Sequence, residues 1–157
     1  MGQERLTIVP QLVVKEEDAE IVRIIRNQCR LYMTNVTGII GPAEQLAWFR
    51  SLDPAKHKVF LYHVRGRDDA SQVEWSSPGG YGYVREIAGK WWVTGGLTPE
   101  FQGRGVGRPL VQHLIDTAGL PCWAEVLESN ERAMRLDYSL GFREVSKSAG
   151  VVTMVVR

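Results

Sequence analysis

The sequence predicts an α/β (α+β) fold in a single domain spanning residues 1–157. Its core would be a mixed, mostly antiparallel sheet of about seven strands, flanked by about four helices. Three observations predict this fold. Segments with helical periodicity alternate with short apolar segments typical of strands, a Gly-containing turn at 88–90 joins two apolar segments, and a glycine-rich turn precedes an amphipathic helix. The predicted order is β-α-α-β-β-β-α-β-α-β-β.

The first part of the chain is predicted to place two helices between two strands. Apolar residues at Ile21, Val22 and Ile25 have helical spacing, and Pro42 suits the first turn of the second helix. Pro10 is expected to bend or break the first strand. The predicted elements are a strand at Leu6–Val14, helices at Glu17–Met33 and Pro42–Leu52, and a strand at Lys58–Val64.

A long loop is predicted over Gly66–Gly80. Small and polar residues fill this segment and do not favour a packed element, with Val73–Trp75 as the exception. The segment could be a flap or a long connection within a hairpin.

The second part of the chain is predicted to contain the clearest helix. Val106, Leu110 and Leu114 fall on one face of it, and Pro109 lies in its first turn, where a missing N–H costs little. Gly141 is expected to end the last helix. The predicted elements are strands Tyr81–Ile87 and Trp91–Leu97, helix Gly105–Ala118, strand Cys122–Leu127, helix Asn130–Leu140, and strands Phe142–Ser146 and Val151–Val156.

Composition excludes several classes of protein. The hydrophobic share of 44% can build a core, and a net charge of +1 favours neither nucleic acid nor a membrane surface as partner. No apolar run approaches the roughly 20 residues that cross a bilayer, and no secretory signal is present. Two cysteines are too few for a structural zinc site, so no metal is expected and a cytoplasmic protein is predicted.

The turn at 102–107 carries glycines at alternate positions, Gly103, Gly105 and Gly107. Glycine lets the backbone approach a ligand closely, and the free N–H groups at a helix N-terminus attract anions. Arg104 and Arg108 add positive charge. The turn therefore predicts a site for a phosphate or pyrophosphate group.

Three phosphate-binding patterns can be compared with this turn. A P-loop requires Gly-Lys-Ser/Thr after four intervening residues, and the chain has no such string. The dinucleotide pattern G-x-G-x-x-G fails because Arg108 or Leu110 stands where its third glycine belongs. The pattern Gln/Arg-x-x-Gly-x-Gly/Ala is matched fully by Gln102–Gly107.

This last pattern resembles the acyl-CoA signature of the GNAT N-acetyltransferase family. A second block, Asn130-x-x-Ala133 followed by Leu140-Gly141-Phe142, is similar to the last conserved helix of that family, and the predicted element order is also the family's. The resemblance is specific over roughly Trp91–Phe142. It implies the GNAT acyl-CoA acyltransferase fold and transfer of an acetyl group from acetyl-CoA to an amine.

The resemblance also assigns residues to acetyl-CoA binding. The strand before the turn would offer free backbone groups to the pantetheine arm, the turn would bind the pyrophosphate, and Asn130 would lie near the pantetheine or cap the last helix. The predicted binding residues are Leu97, Thr98, Gln102, Gly103, Arg104, Gly105, Val106, Gly107, Arg108 and Asn130.

Glu125 is the predicted catalytic base. Strand alternation places it on the same side as Trp123 and Leu127, where an apolar setting would suit it to proton abstraction. It also matches a family strand that carries a glutamate base in some members. Glu86, on the preceding hairpin, is a second candidate.

The predicted acid departs from the family pattern. Many members place a tyrosine seven residues after the asparagine, but this chain has Asp137 there and its tyrosine at Tyr138. One residue rotates a helical side chain by about 100°, so Tyr138 could face the core while Asp137 faces the sulfur. Tyr138, Asp137 and solvent remain open as sources of the proton.

The acceptor is expected to be an amine-bearing small molecule or peptide. In the family it is selected by the region that corresponds here to Asn27–Leu52, and Trp48, Trp75, Trp91 and Trp92 are further candidates for its pocket. Two other readings stay open. The chain could be a non-catalytic acyl-CoA sensor, or Val151–Val156 could mediate a homodimer.

Overall fold

The computed structural model describes residues 5–34 and 38–157. In that part of the chain, seven strands form one sheet in the order β1-β2-β3-β4-β5-β7-β6. The strands are β1 Thr7–Leu12, β2 His57–Arg67, β3 Glu74–Ile87, β4 Lys90–Leu97, β5 Cys122–Leu127, β6 Arg143–Ser148 and β7 Val151–Val156. The helices are α1 Glu16–Gln28, α2 Pro42–Ser51, α3 Gly107–Ala118 and α4 Glu131–Ser139, with 3₁₀ turns at Arg30–Tyr32 and Pro99–Phe101. The predicted fold class and element order are confirmed.

Helices cover both faces of the sheet. On one face, Val22 and Ile25 of α1 pack against Leu61 and Tyr81. On the other face, α3 and α4 pack over the main core, which includes Leu110, Leu114, Val84, Phe142 and Met154. In the middle of β2 and β3 both faces are buried, so four consecutive residues of each strand, Val59–Tyr62 and 79–82, are buried rather than alternate ones.

Helix α3 lies unusually close to the sheet at two glycines. A Cβ atom at Gly82 would lie 2.7 Å from Leu114 Cδ2, and one at Gly95 would lie 2.9 Å from Leu110 Cδ2. Any side chain at these positions would push the helix outward. The glycines therefore fix the depth of α3, whose first residues border the site described below.

Strands β4 and β5 are parallel neighbours that pair at one position, Trp92 with Trp123. All other neighbouring strands pair antiparallel over five or more positions. Beyond Trp92 and Trp123 the two strands diverge and leave a gap in the middle of the sheet, between Val93–Leu97 and Ala124–Val126.

The prediction of a loop over Gly66–Gly80 is wrong for most of this segment. Strand β2 continues to Arg67 and β3 begins at Glu74, so the connection is reduced to residues 68–73. The pairing of these ends is supported by the Arg67–Glu74 ion pair, at 2.7 Å. Pro78 and Gly79 do not end the strand, because they form a bulge opposite His63, where a proline is tolerated.

Three further predictions can be compared with the structure. The helix predicted over Glu17–Met33 ends at Gln28, and a 3₁₀ turn follows. The Val151–Val156 segment, considered for dimer pairing, is β7 and is paired on both edges by β5 and β6. Pro10 does not break β1, which is an edge strand and needs no donor on its outer side.

No helix in residues 5–34 and 38–157 is both long and apolar enough to cross a membrane. Over the same residues there is no cluster of three or more His, Cys, Asp or Glu side chains that could hold a metal ion.

Candidate active site

The gap between β4 and β5 opens into a cleft of about 440 Å³. Its walls are the diverging strand ends, the glycine-rich turn, the first turns of α3 and α4, and the end of α1. Its floor is apolar and includes Leu110, Leu114 and Phe142, all of which are buried in the core. The gap begins where Trp92 pairs with Trp123, and the glycine-rich turn borders the cleft at Gln102, Gly103 and Gly107.

The turn adopts the backbone conformation that its glycines allow. Gly103 and Gly105 have φ of +70° and +87°, in the left-handed region that other residues rarely adopt. Among the described residues, the N–H groups of Gly103, Gly105, Val106 and Gly107 donate to no protein acceptor. Gln102, Gly103 and Gly107 border the cleft. The turn therefore presents unused donors at the N-terminus of α3, as an anion site requires.

Arg132 is a site residue that the sequence analysis missed. It lies in the first turn of α4 and lines the cleft, and a Cβ at Gly103 would be 3.4 Å from its guanidinium group. A cation in the first turn of a helix is unfavourable unless an anion compensates it. That mismatch is the sequence signal that could have identified Arg132.

The two arginines that were predicted to add charge contact other parts of the protein. Arg108 donates to Ser139 Oγ at 2.8 Å and so ties α3 to the end of α4. The Arg104 guanidinium lies over the Phe101 ring and donates to the Glu100 carbonyl at 3.4 Å. Val106 is fully buried, so its backbone alone faces the turn.

The end of β4 is held by side chains where a neighbouring strand is missing. The Leu97 carbonyl accepts from Gln102 Nε2 at 3.0 Å and from Cys29 Sγ at 3.2 Å. Thr98, which was predicted to bind acetyl-CoA, does not line the cleft. It is buried outside the cleft, and its N–H donates to the Gly79 carbonyl at 2.9 Å, so that amide is not free for a ligand.

Asn130 borders the cleft and also caps α4, since its Oδ1 accepts from the Ala133 N–H at 3.2 Å. Replacing it with alanine is expected to lower the free energy of unfolding by about 1 kcal/mol, because the orphan N–H loses its partner. Asn130→Asp keeps the acceptor and should remain near wild-type stability. Urea unfolding followed by circular dichroism measures both, and an equal loss in the two variants would contradict the capping role.

Glu125 lines the cleft from β5, between the buried residues Ala124 and Val126. Its side chain is exposed, which differs from the apolar setting predicted for it. Glu86, the second candidate, pairs with Trp91 on the β3–β4 hairpin and does not border the cleft. Of the two carboxylates, Glu125 is the one with access to a molecule bound in the gap.

Asp137 and Tyr138 point in different directions from α4. Asp137 lines the cleft and is 7% exposed, whereas Tyr138 is 39% exposed and lies outside the cleft lining. Burial raises the pKa of the Asp137 carboxyl to about 7. The position of Tyr138 does not support its predicted role as the acid.

The other wall of the cleft comes from the chain after α1. Cys29, Tyr32, Met33 and Thr34 line it, and these residues belong to the predicted acceptor region. Of that region, 35–37 lie outside the described residues. None of the five tryptophans borders the cleft. Trp48, for example, packs against His57 and Tyr83.

Residues at the end of α1 anchor the connection to α2. The Asn27 side chain pairs with both backbone groups of Ile40, each at 3.0 Å. Arg26, which is 2% exposed, donates to the Gly38 carbonyl at 2.7 Å. These bonds fix where the connection leaves the cleft wall.

Comparisons with known proteins agree with this site. The family model described as "Acetyltransferase (GNAT) family" matches residues 79–142. Over 54 residues the chain is 50% identical to the [ribosomal protein bS18]-alanine N-acetyltransferase of Salmonella typhimurium. That match covers 32% of this chain and 36% of the relative, so the chain matches little more than a third of the relative's length.

Solved structures share the fold over nearly the whole chain. A domain from Methanocaldococcus jannaschii superimposes with a TM-score of 0.74 at 17% identity, covering 98% of this chain and 99% of that one. A putative acetyltransferase, yncA, from Salmonella typhimurium, solved with its cofactor acetyl-CoA, has a TM-score of 0.71 at 19% identity, covering 96% and 93%. The family match falls on the strands, turn and helices that build the cleft, so over residues 79–142 this protein is similar to the GNAT acetyltransferase family, and the likeness in fold extends over the rest of the chain.

Proposed function

We propose that this protein transfers the acetyl group of acetyl-CoA to a primary amine of a small molecule or a peptide. The observation that carries the proposal is the gap between β4 and β5, which is bordered by the glycine-rich turn with its unused N–H donors and has an apolar floor. A molecule with a phosphate-bearing end and a long, narrow arm fits this shape. The family match over residues 79–142 supports acetyl-CoA as that molecule.

The phosphate end is proposed to lie at the glycine turn. The N–H groups of Gly103, Gly105 and Val106 have no protein acceptor in the described chain, and Arg132 adds a cation from the opposite side. The arm would then follow Val93–Leu97 on one side and Asn130 on the other. Backbone amides of the diverging strand would polarise the thioester carbonyl.

The chemistry we propose is direct transfer within a ternary complex. The amine attacks the thioester carbonyl carbon, the carbon–sulfur bond breaks, and the electron pair leaves with sulfur. The amine must lose protons in this process, and Glu125 is the carboxylate in the cleft that can accept one, directly or through water. No covalent intermediate with the protein is required.

The acceptor is proposed to enter beside Tyr32 and Met33, on the wall opposite α4. The residues of this wall, Cys29, Tyr32, Met33 and Thr34, are uncharged, and Glu125 is the exposed carboxylate among the cleft-lining residues. A neutral wall with one carboxylate suits an amine whose remaining surface is uncharged. The Salmonella typhimurium relative, which is an alanine N-acetyltransferase by name, supports a peptide N-terminus as the first candidate.

A panel assay tests the proposal. Titration calorimetry with acetyl-CoA measures binding, and release of free thiol is followed with peptides that begin with alanine, polyamines, amino sugars and lysine side chains. Acetyl-CoA binding together with turnover on one class of amine is the expected result. Binding without turnover on any amine would favour the acyl-CoA sensor, and absence of binding would refute the proposal.

The variant Glu125→Gln is expected to lower kcat by tenfold or more, with little change in acetyl-CoA affinity. The amide keeps the size of the side chain but cannot accept a proton at neutral pH, and general base catalysis contributes typically about 10²–10⁴-fold. In the variant, water can accept the proton in place of the carboxylate, because residue 125 is exposed, and this limits the loss of rate. Initial rates of thiol release from pH 6 to 9 measure the effect.

Glu86→Gln is the matched control for this prediction. It removes the other glutamate considered as a base, which lies off the cleft on the hairpin. Wild-type kcat is expected for it. An unchanged pH–rate profile in Glu125→Gln, or a loss of rate in Glu86→Gln alone, would show that Glu125 is not the base.

A further inference from the structure

Asp137 is the single carboxylate that is buried in residues 5–34 and 38–157. It lies on the face of α4 that also presents Ala133 to the cleft, whose lining includes the buried residues Phe142 and Leu114. The small exposed part of Asp137 therefore faces the cleft. A carboxyl group in such an apolar position is costly to ionise.

The carboxyl of Asp137 has no compensating partner in the described part of the chain. No hydrogen bond or ion pair to its side chain is present there, whereas its backbone carbonyl accepts from the N–H groups of Leu140 and Phe142. A buried polar group without a partner lowers stability, so such groups are usually removed unless they have a task. The cleft is the place where this carboxyl could find a partner.

The charged and titratable groups around Asp137 do not neutralise it. From β5, the Cys122 thiol faces it, and the pKa of that thiol is raised by burial and by the Asp137 charge. From α3, Arg108 is bonded to Ser139, and from β6, Arg143 donates to the backbone carbonyls of Tyr138 and Phe142.

Two further charged side chains belong to the same cleft. Arg132 on α4 itself lies near the glycine turn, and Glu125 projects from the opposite face of β5 to that of Ala124. Desolvation is accordingly the cause of the raised pKa of Asp137, about 7, so this carboxyl can hold a proton at a higher pH than an exposed aspartate does.

We propose that Asp137 in its protonated form donates the proton that the departing sulfur of CoA receives. The inference rests on the proposed function and adds to it the source of this proton. As the carbon–sulfur bond breaks, the sulfur takes both bonding electrons and then the carboxyl proton, which gives CoA thiol and an Asp137 carboxylate. Solvent returns a proton to the carboxylate when the products leave, so the cycle is balanced without another reactant.

The position of Asp137 favours it over Tyr138. A proton donor must reach the sulfur of a molecule bound in the cleft. Asp137 lines the cleft and is buried, whereas the Tyr138 hydroxyl belongs to an exposed side chain outside the cleft lining.

The experiment compares Asp137→Asn with Tyr138→Phe, using acetyl-CoA and the best amine from the panel. We expect Asp137→Asn to lower kcat by at least tenfold at pH 6, while the Kd for acetyl-CoA from calorimetry changes by less than twofold. The wild-type kcat divided by the kcat of Asp137→Asn should fall as pH rises, because Asp137 in the wild type is itself deprotonated at high pH. Tyr138→Phe should retain wild-type kcat.

Each alternative result has a defined meaning. An unchanged kcat in Asp137→Asn, a wild-type to Asn ratio independent of pH, or a loss of rate in Tyr138→Phe would overturn the proposal. A large loss of acetyl-CoA affinity in Asp137→Asn would also overturn it, because it would indicate a binding or structural role. Failure of the proposed function would be distinct, since the wild type itself would then show no binding or no turnover.

Discussion

Gly105→Val is expected to weaken acetyl-CoA binding by about a hundredfold. Gly105 has φ of +87°, a conformation that a β-branched residue does not adopt without strain, so the turn must change shape. A changed turn misdirects the neighbouring N–H groups. Losing one or two hydrogen bonds to a charged phosphate, at about 1.5–3 kcal/mol each, corresponds to roughly this factor. Titration calorimetry of the variant with acetyl-CoA measures it.

Gly119→Val is the matched control at the other end of α3. Gly119 has φ of +79°, and at both glycines an added Cβ would meet no atom within 4 Å. Both variants therefore strain the backbone, and Gly119 with φ of +79° and ψ of 171° is in a region that essentially only glycine adopts, but Gly119 lies at the far end of α3 from the turn. We expect both variants to lose stability and Gly105→Val alone to lose affinity. Equal affinities in the two variants would show that the turn does not bind the phosphates.

Asp137→Asn is expected to stabilise the fold at alkaline pH by up to about 4 kcal/mol. Burial raises the pKa of Asp137 from 3.8 to about 7, so the folded protein binds this proton more tightly than the unfolded chain does. Stability is then lost as pH rises from about 4 through 7, and the difference in pKa corresponds to about 4 kcal/mol. Asparagine is neutral at every pH and avoids this loss.

Comparison at two pH values supplies the control for this prediction. At pH 4, where the wild-type carboxyl is largely protonated, Asp137→Asn and wild type should differ little in free energy of unfolding. At pH 9 the variant should be clearly more stable, as measured by urea unfolding. A difference that is the same at both pH values would show that Asp137 is not held neutral by burial. Together with a lower kcat, the expected result would describe a side chain that costs stability and serves catalysis.

Most of the fold was predictable because local patterns specify it. The amphipathic spacing of α3 and the exact agreement of β7 with the predicted Val151–Val156 reflect periodicities that need no tertiary information. The segment Gly66–Gly80 was not predictable in this way. Its glycines, proline and serines are typical of loops, and only pairing with β2 and the stacking of Trp75 on Phe101 hold it as a strand.

The candidate site was predictable in part. The glycine turn and Asn130 are contiguous motifs whose chemistry follows from residue type and spacing. Thr98 and the tryptophans were assigned to the site by sequence position alone. The structure places Thr98 in a buried position and all of the tryptophans outside the cleft lining. Arg132 was missed because its proximity to Gly103 joins two elements separated by a helix and a strand.

The sequence by itself determined the element order, the resemblance to the GNAT family and the position of the glycine-rich turn, since each depends on local periodicity or on a short motif. Only the tertiary structure decided that β4 and β5 meet at Trp92 and Trp123 and then part, and that Asp137 faces the cleft while Tyr138 faces outward. The physical reason is that a gap between strands and the burial of a carboxyl depend on contacts between distant segments. A rotation of about 100° per residue on α4 then separates the two neighbours into different surroundings.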